Sequence, residues 1–200
     1  MGLIEVLVKQ SGKPYGTLGR IMVKIMNQAD SGLNKWIVEK INCPSGTVLD
    51  IGCGGGQSVF NLLNHNKVNH MIGIDFSLDS VKVAKKKNAA FIKSKRAKII
   101  QANVTALPYS DNFFDIIMAV RSHYFWNDYD KAFAEIYRTL KQGGKMIIFS
   151  ERYKIQYHIK MYNTDVSMAS LLKTIGFDNI KIENKDAVQC IIAEKTRPII

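Results

Sequence analysis

Apolar residues along this chain come in short runs separated by stretches of helical spacing. The first run, Thr47–Ile51, contains Val48, Leu49 and Ile51 and is interrupted by Asp50. Met71–Asp75, Ala97–Gln101, Phe113–Val120 and Lys145–Ser150 follow, and Asn179–Glu183 and Ala187–Glu194 close the series. Between the runs, apolar side chains recur at helical spacing: Val59, Phe60, Leu62 and Leu63; Leu78, Val81 and Ala84; Phe133, Ile136, Tyr137 and Leu140; Leu171 and Leu172. Short runs predict strands, and the spaced sets predict amphipathic helices with those residues inward. Ser77 is the expected cap of a helix reaching about Ala90, Gly143 and Gly144 the expected stop of the helix that ends near Leu140. Cys43 to Gly46 reads as a turn, and residues 151–168 as an irregular connection.

Strands that alternate with helices specify right-handed crossovers and a doubly wound, mostly parallel sheet. The last two runs lie too close for a crossover and must pair antiparallel, as a hairpin. Upstream, Leu18, Ile21, Met22, Ile25 and Met26 predict a helix over Thr17–Ala29, and a second runs from Ser31 or Asn34 to about Ile41. The expected division is a helical N-terminal cap, residues 1–45, on an α/β unit, residues 46–200, in one compact α/β domain.

The chemistry concentrates where the first run ends. Gly52, Gly54, Gly55 and Gly56 follow it directly, and glycines after a buried strand let backbone approach a ligand closely. Asp75 ends the second run 23 residues after Gly52, the place of an acid that accepts hydrogen bonds from ribose hydroxyls. A dinucleotide fingerprint needs a third glycine where this chain has Gln57. The spacing is instead Asp50-x-Gly52-x-Gly54-x-Gly56.

This turn resembles the first motif of the class I S-adenosylmethionine-dependent methyltransferases. The likeness continues in order through Ile72–Ser77, Ala102–Ile117 and Leu140–Ile148, and spans roughly residues 47–195. Within that family it is similar to the type 11 and ubiquinone-biosynthesis-like enzymes that act on small molecules. The resemblance implies a Rossmann-like seven-stranded sheet with an antiparallel C-terminal hairpin strand and helices on both faces. It implies S-adenosylmethionine as the methyl donor and S-adenosylhomocysteine as its product. Gly52, Cys53 and Gly54 would then hold the ligand's amino-acid end and ribose through backbone. Asp50 would receive the ammonium or tie down the turn, and Asp75 would grip the ribose diol. Phe76 would pack on adenine, Asn103 would accept from its amino group, and the Val104 N–H would meet a ring nitrogen. Val120 would line the crevice. Asn103 stands where family members commonly carry an acid, so that contact is expected to be weaker. N-terminal helices commonly cover the cleft in this family, which makes Tyr15, Gly16 and Gly19 candidates for a lid.

On the acceptor side, Arg121 to Trp126 follow the fourth run, and the carboxyl end of a parallel strand faces the ligand crevice. His123 and Tyr124 are the catalytic candidates, with His123 either a general base or a residue that merely hydrogen-bonds locally. Tyr124, Phe125 and Trp126 could form an aromatic wall, or pack under the next helix. Arg121 could bind an acidic acceptor or hold a loop. Tyr153, Tyr157, His158 and Tyr162 are further pocket candidates, or surface aromatics.

Composition narrows the alternatives. The net charge is +11, and eight of the basic residues fall between Lys82 and Lys98 with no acid among them. An RNA or protein acceptor guided by that face is one alternative, and a non-catalytic cofactor-binding protein another. Phe91 is the one aromatic residue within the basic stretch, so it provides no stacking platform and reads as a solvated helix face. Four histidines and three cysteines show no metal-binding spacing and no disulfide framework. No apolar stretch approaches the ~20 residues of a membrane span. The expected setting is a reducing cytoplasm and the expected partner a small-molecule methyl acceptor.

Overall fold

The computed structural model describes residues 31–185 and 187–196. The expected helix over Thr17–Ala29 and the lid residues Tyr15, Gly16 and Gly19 lie outside them. Seven strands form one sheet in the order β3-β2-β1-β4-β5-β7-β6. They are β1 (Cys43–Ile51), β2 (Val68–Asp75), β3 (Ala97–Gln101), β4 (Phe114–Val120), β5 (Leu140–Glu151), β6 (Asp178–Lys185) and β7 (Val188–Glu194). Strands β1 to β5 are mutually parallel, and β7 runs antiparallel to both β5 and β6. The chain winds outward from β1 to β3 and returns to the other side of β1 as β4. The crevice at this switch point lies between the carboxyl ends of β1 and β4.

Alternation along the strands builds two cores. Leu49, Ile51, Ile72, Ile74, Ile117 and Ile148 bury against α5 (Tyr129–Thr139) and α7 (Asp165–Ile175) on one face. Val48, Met71, Ile99, Met118, Ile147 and Phe149 bury on the other. There they meet α1 (Ser31–Lys40), α2 (Gln57–Asn64) and α3 (Leu78–Lys87). Both faces of β1 and β4 are thus covered, as near-continuous apolar runs require.

Several local expectations change. Cys43–Gly46 belongs to β1: the partner of Cys43 is Val68 but that of Thr47 is His70, so a bulge absorbs the Pro44–Gly46 stretch. Helix α5 stops at Thr139, ahead of the glycine pair, because Leu140 is already extended and paired with Phe114. Gly143 and Gly144 instead sit within the register shift between Leu140 and Lys145. Ser77 does cap α3, accepting from the Ser80 N–H, but the helix ends at Lys87 and a short α4 (Ala89–Lys93) follows. Leu78 was expected inward and is 52% exposed. It is the first residue of α3, whose buried residues are Ser80, Val81 and Ala84. Residues expected to be irregular contain α6 (Arg152–His158) and the start of α7, where Thr164 and Ser167 form a reciprocal cap.

Candidate active site

Three left-handed glycines shape the turn after β1: Gly52, Gly54 and Gly56 have φ of 70°, 54° and 76°. L-residues with a Cβ avoid this region. The turn is pinned to β2 by backbone, since the Gly52 and Cys53 N–H groups both donate to the Ile74 carbonyl, at 2.8 and 2.9 Å. Asn88 braces its far end: the Nδ2 donates to the Gly56 and Ala84 carbonyls, each at 3.0 Å. Open space surrounds the position a Cβ would take on Gly54. The first turn of α2 carries no charged side chain, so its N-terminal N–H groups face the turn unopposed by a side-chain charge.

Asp75, at the end of β2, ties this turn to the next helix. Its Oδ2 accepts from the Gly54 N–H and its Oδ1 from the Ser77 N–H, both at 2.8 Å. Each carboxylate oxygen can accept a further hydrogen bond. Burial raises the Asp75 carboxyl above its ordinary value, while the two N–H groups and the Ser80 side chain pull it back. Phe76, the next residue, is 54% exposed.

Asp50 differs sharply from Asp75. It is 1% exposed, and neither carboxylate oxygen has a hydrogen-bond partner among the described residues. The turn-tying role open to Asp50 in the sequence is carried by the Ile74 carbonyl and by Asp75. Burial, then the charge of Asp75, pushes the Asp50 carboxyl up to about 8. Cys53 is buried, and burial followed by the charges of Asp50 and Asp75 raises its thiol, which therefore stays protonated.

Asn103 and Val104 follow β3. The Asn103 Oδ1 already accepts from the Thr105 N–H at 3.1 Å, closing an Asx turn, and Val104 is 7% exposed. Val120, half-buried, ends β4.

Beyond β4 the chain turns through Arg121 at φ 55°, a left-handed conformation uncommon for a residue with a side chain. Ser122 then donates to the Ile51 carbonyl at 2.6 Å, locking this segment to the carboxyl end of β1. A 3-10 turn, His123–Phe125, follows. His123 is fully buried; its Nδ1 lies 2.6 Å from the Ser150 hydroxyl, and its Nε2 has no partner among the described residues. Burial lowers the imidazole to about 3. Of the two roles open to His123 in the sequence, a crevice-facing base or a local hydrogen-bonding residue, this geometry fits the second: the ring is neutral and too weakly basic to collect a proton near pH 7.

Tyr124 joins a polar cluster at the carboxyl ends of β4 and β5. Its hydroxyl donates to Glu151 Oε2 at 3.1 Å and accepts from Lys154 Nζ at 3.2 Å. Arg121 Nε and Lys154 Nζ both pair with Glu151 Oε1, at 2.8 and 3.3 Å. Burial, then Glu151, raises the Tyr124 phenol, so it remains protonated. His158 stacks on Tyr124 with ring centres 5.7 Å apart, and Phe125 meets both edge-on. Trp126 packs instead on Phe133 of α5. Tyr153 and Tyr157 are 63% and 68% exposed.

Residues 49–148 match the protein family described as "Methyltransferase domain". The uncharacterized methyltransferase YdaC of Bacillus subtilis is 30% identical over 164 residues, 81% of this chain and 88% of that protein. The chain belongs to the class I S-adenosylmethionine-dependent methyltransferases. A crystal structure of a putative S-adenosylmethionine-dependent methyltransferase from Methanococcus maripaludis superposes on this methyltransferase with a TM-score of 0.73 at 26% identity, covering 90% of this chain and 95% of that one. The sterol 4-C-methyltransferase strm-1 of Caenorhabditis elegans is 28% identical over 148 residues, 68% of this chain but 44% of its own length.

Sequence reasoning missed four residues that the structure brings to the candidate site. Glu151 ends the fifth strand with an acid, the same signal that singled out Asp75, but β5 was expected to stop one residue earlier. Lys154 was hidden by the missing α6, and Ser150 and Asn88 carry no sequence signal, since only the folded chain brings them to His123 and Gly56. Among the described residues no group of three or more His, Cys, Asp or Glu could hold a metal ion, and no helix is long and apolar enough to cross a membrane.

Proposed function

We propose that this methyltransferase transfers a methyl group to a small-molecule acceptor seated over the carboxyl ends of β4 and β5. The observation that carries the reading is the Arg121–Glu151–Lys154–Tyr124 cluster, flanked by the Phe125 and His158 rings, beside the segment that Ser122 locks to β1. S-adenosylmethionine, when bound, supplies a methyl group already activated by its sulfonium. The chain's task is then alignment and water exclusion, which can contribute roughly 7–11 kcal/mol.

The residues fit such a donor. Among the described residues Asp50 offers two buried, unpartnered carboxylate oxygens to an ammonium, and the space at Gly54 admits backbone contact. Cofactor binding is assigned to Asp50, Gly52, Cys53, Gly54, Asp75, Phe76, Asn103, Val104 and Val120. Asp75 would accept ribose hydroxyls on the lone pairs left by Gly54 and Ser77, and Phe76 would cover adenine with its exposed ring. His123 and Tyr124 are assigned to the acceptor wall as positioning residues: both are protonated or neutral where a base would need to be free. The basic residues from Lys82 to Lys98 serve solubility in this reading. A sterol and phosphoethanolamine are the acceptors named for two relatives and support a small-molecule acceptor. Three free cysteines, Cys43, Cys53 and Cys190, favour a reducing compartment such as the cytoplasm. The helical cap is assigned to the segment ahead of β1, of which α1 packs through Trp36 against Phe149, while Cys43 to Gly46 belong to the sheet.

The test is a metabolite screen with methyl-labelled cofactor, run beside total RNA and total protein. Label in a small molecule, lost in the Glu151→Gln variant, supports the proposal. Label in RNA or protein alone, or no transfer to any fraction, defeats it.

A further inference from the structure

The contrast between the two acids of the cofactor crevice has a consequence for binding. Asp75 receives a backbone N–H on each oxygen, an arrangement that suits a carboxylate anion. Asp50, on the neighbouring strand and within electrostatic reach, receives none from the described residues. An isolated buried carboxylate is costly to ionise, and such a group takes up a proton instead. Among the described residues the surroundings offer no relief. Across the sheet Asp50 faces Gly73 on β2 and Met118 on β4. Asp75 further along β2 is a like charge, Cys53 on the turn is a neutral thiol, and the first turn of α2 has no basic side chain.

We infer that Asp50 carries a proton in the ligand-free protein and surrenders it when its two oxygens receive the cofactor's ammonium, so that binding releases one proton to solvent. The inference rests on the assignment of Asp50 to the ligand's amino-acid end. The exchange is balanced: the Asp50 O–H bond breaks, the proton leaves to buffer, and ammonium N–H groups donate to the carboxylate in its place. No covalent bond to the ligand forms. The device makes Asp50 a specificity-determining residue. A ligand that brings an ammonium replaces the proton, while a nucleoside without one leaves the acid neutral and gains nothing from it. The raised Asp50 carboxyl, about 8, puts this exchange within the working pH range.

Isothermal titration calorimetry in buffers of different ionisation enthalpy tests the inference, with S-adenosylhomocysteine and 5′-methylthioadenosine as probes. The second keeps the adenosine and thioether but lacks the amino-acid end. Near pH 6.5 the first should release about one proton and the second none, and affinity for the first should rise about tenfold per pH unit until the carboxyl titrates freely. Asp50→Asn, a neutral isostere, should bind S-adenosylhomocysteine more weakly, with no proton release and a flat profile from pH 5.5 to 8. Wild-type binding of S-adenosylhomocysteine without proton release overturns the inference while leaving the cofactor assignment intact. Release that persists in Asp50→Asn overturns it in favour of another group. Failure of S-adenosylhomocysteine to bind at any pH overturns both. Should Asp50→Asn not fold, the comparison of the two probes on the wild-type protein decides alone.

Discussion

Ser122 occupies the space beside Gly52. A Cβ built on residue 52 would overlap the Ser122 Cβ, and the Ser122 hydroxyl is 2.6 Å from the Ile51 carbonyl to which it donates. The donor side of the crevice, on the turn after β1, and the acceptor side, after β4, are therefore in direct contact. A change on one is felt by the other.

Gly52→Ala should accordingly destabilise the protein by more than the ~1–2 kcal/mol of left-handed strain alone. Adding Ser122→Gly should recover the overlap but not the strain. Because Ser122→Gly also removes the donor to the Ile51 carbonyl, chemical denaturation of both single variants and the double closes the cycle, and strictly additive losses would deny the contact.

Asp75→Ala should lower affinity for S-adenosylhomocysteine at least tenfold and also lower the melting temperature, because it frees the Gly54 and Ser77 N–H groups. Calorimetry and thermal unfolding read the two effects separately. Unchanged affinity would remove Asp75 from the ligand site.

Glu151→Gln leaves Arg121 and Lys154 without their shared anion. It should reduce kcat/KM for the acceptor by tenfold or more, with the Kd for S-adenosylhomocysteine within about twofold, once an acceptor is in hand. A loss of about 1–3 kcal/mol in stability is expected from the unsatisfied partners. A matching loss in cofactor affinity would place Glu151 on the wrong side of the crevice.

His123 gives stability a pH dependence of known sign. Its folded value, about 3, lies below the ordinary 6.5, so the unfolded chain binds the extra proton between these limits. Its contribution to stability is present above pH 6.5 and is lost as pH falls toward 3. His123→Gln should flatten that part of the melting-temperature profile between pH 7 and 4. A turnover profile with an inflection near 6.5 that vanishes in the same variant would restore His123 as a base.

Lys195 provides a control remote from the crevice. Its ammonium donates to the Tyr137 and Leu140 carbonyls, at 2.8 and 2.9 Å, and to Asn112 Oδ1 at 2.9 Å, capping the end of α5. Lys195→Met should cost roughly 1–3 kcal/mol in denaturant unfolding and leave cofactor affinity unchanged.

By itself the sequence determined the strand runs, the helices between them, the glycine turn with Asp50 and Asp75, and the terminal hairpin. Those features depend on local periodicity, on turn chemistry and on chain length between strands, all of which are written within a few dozen residues. It misjudged Gly143 and Gly144, because pairing of Leu140 with Phe114 overrode the local stop signal, and it placed Leu78 inward with Val81 and Ala84, of which only the last two are buried. Only the tertiary structure decided that Asp50 has no hydrogen-bond partner among the described residues while Asp75 has two backbone donors, that His123 is sealed beside Ser150, and that Glu151 gathers Arg121, Tyr124 and Lys154. Charge state and reach depend on what distant segments bring into contact, and burial is a property of the packed whole.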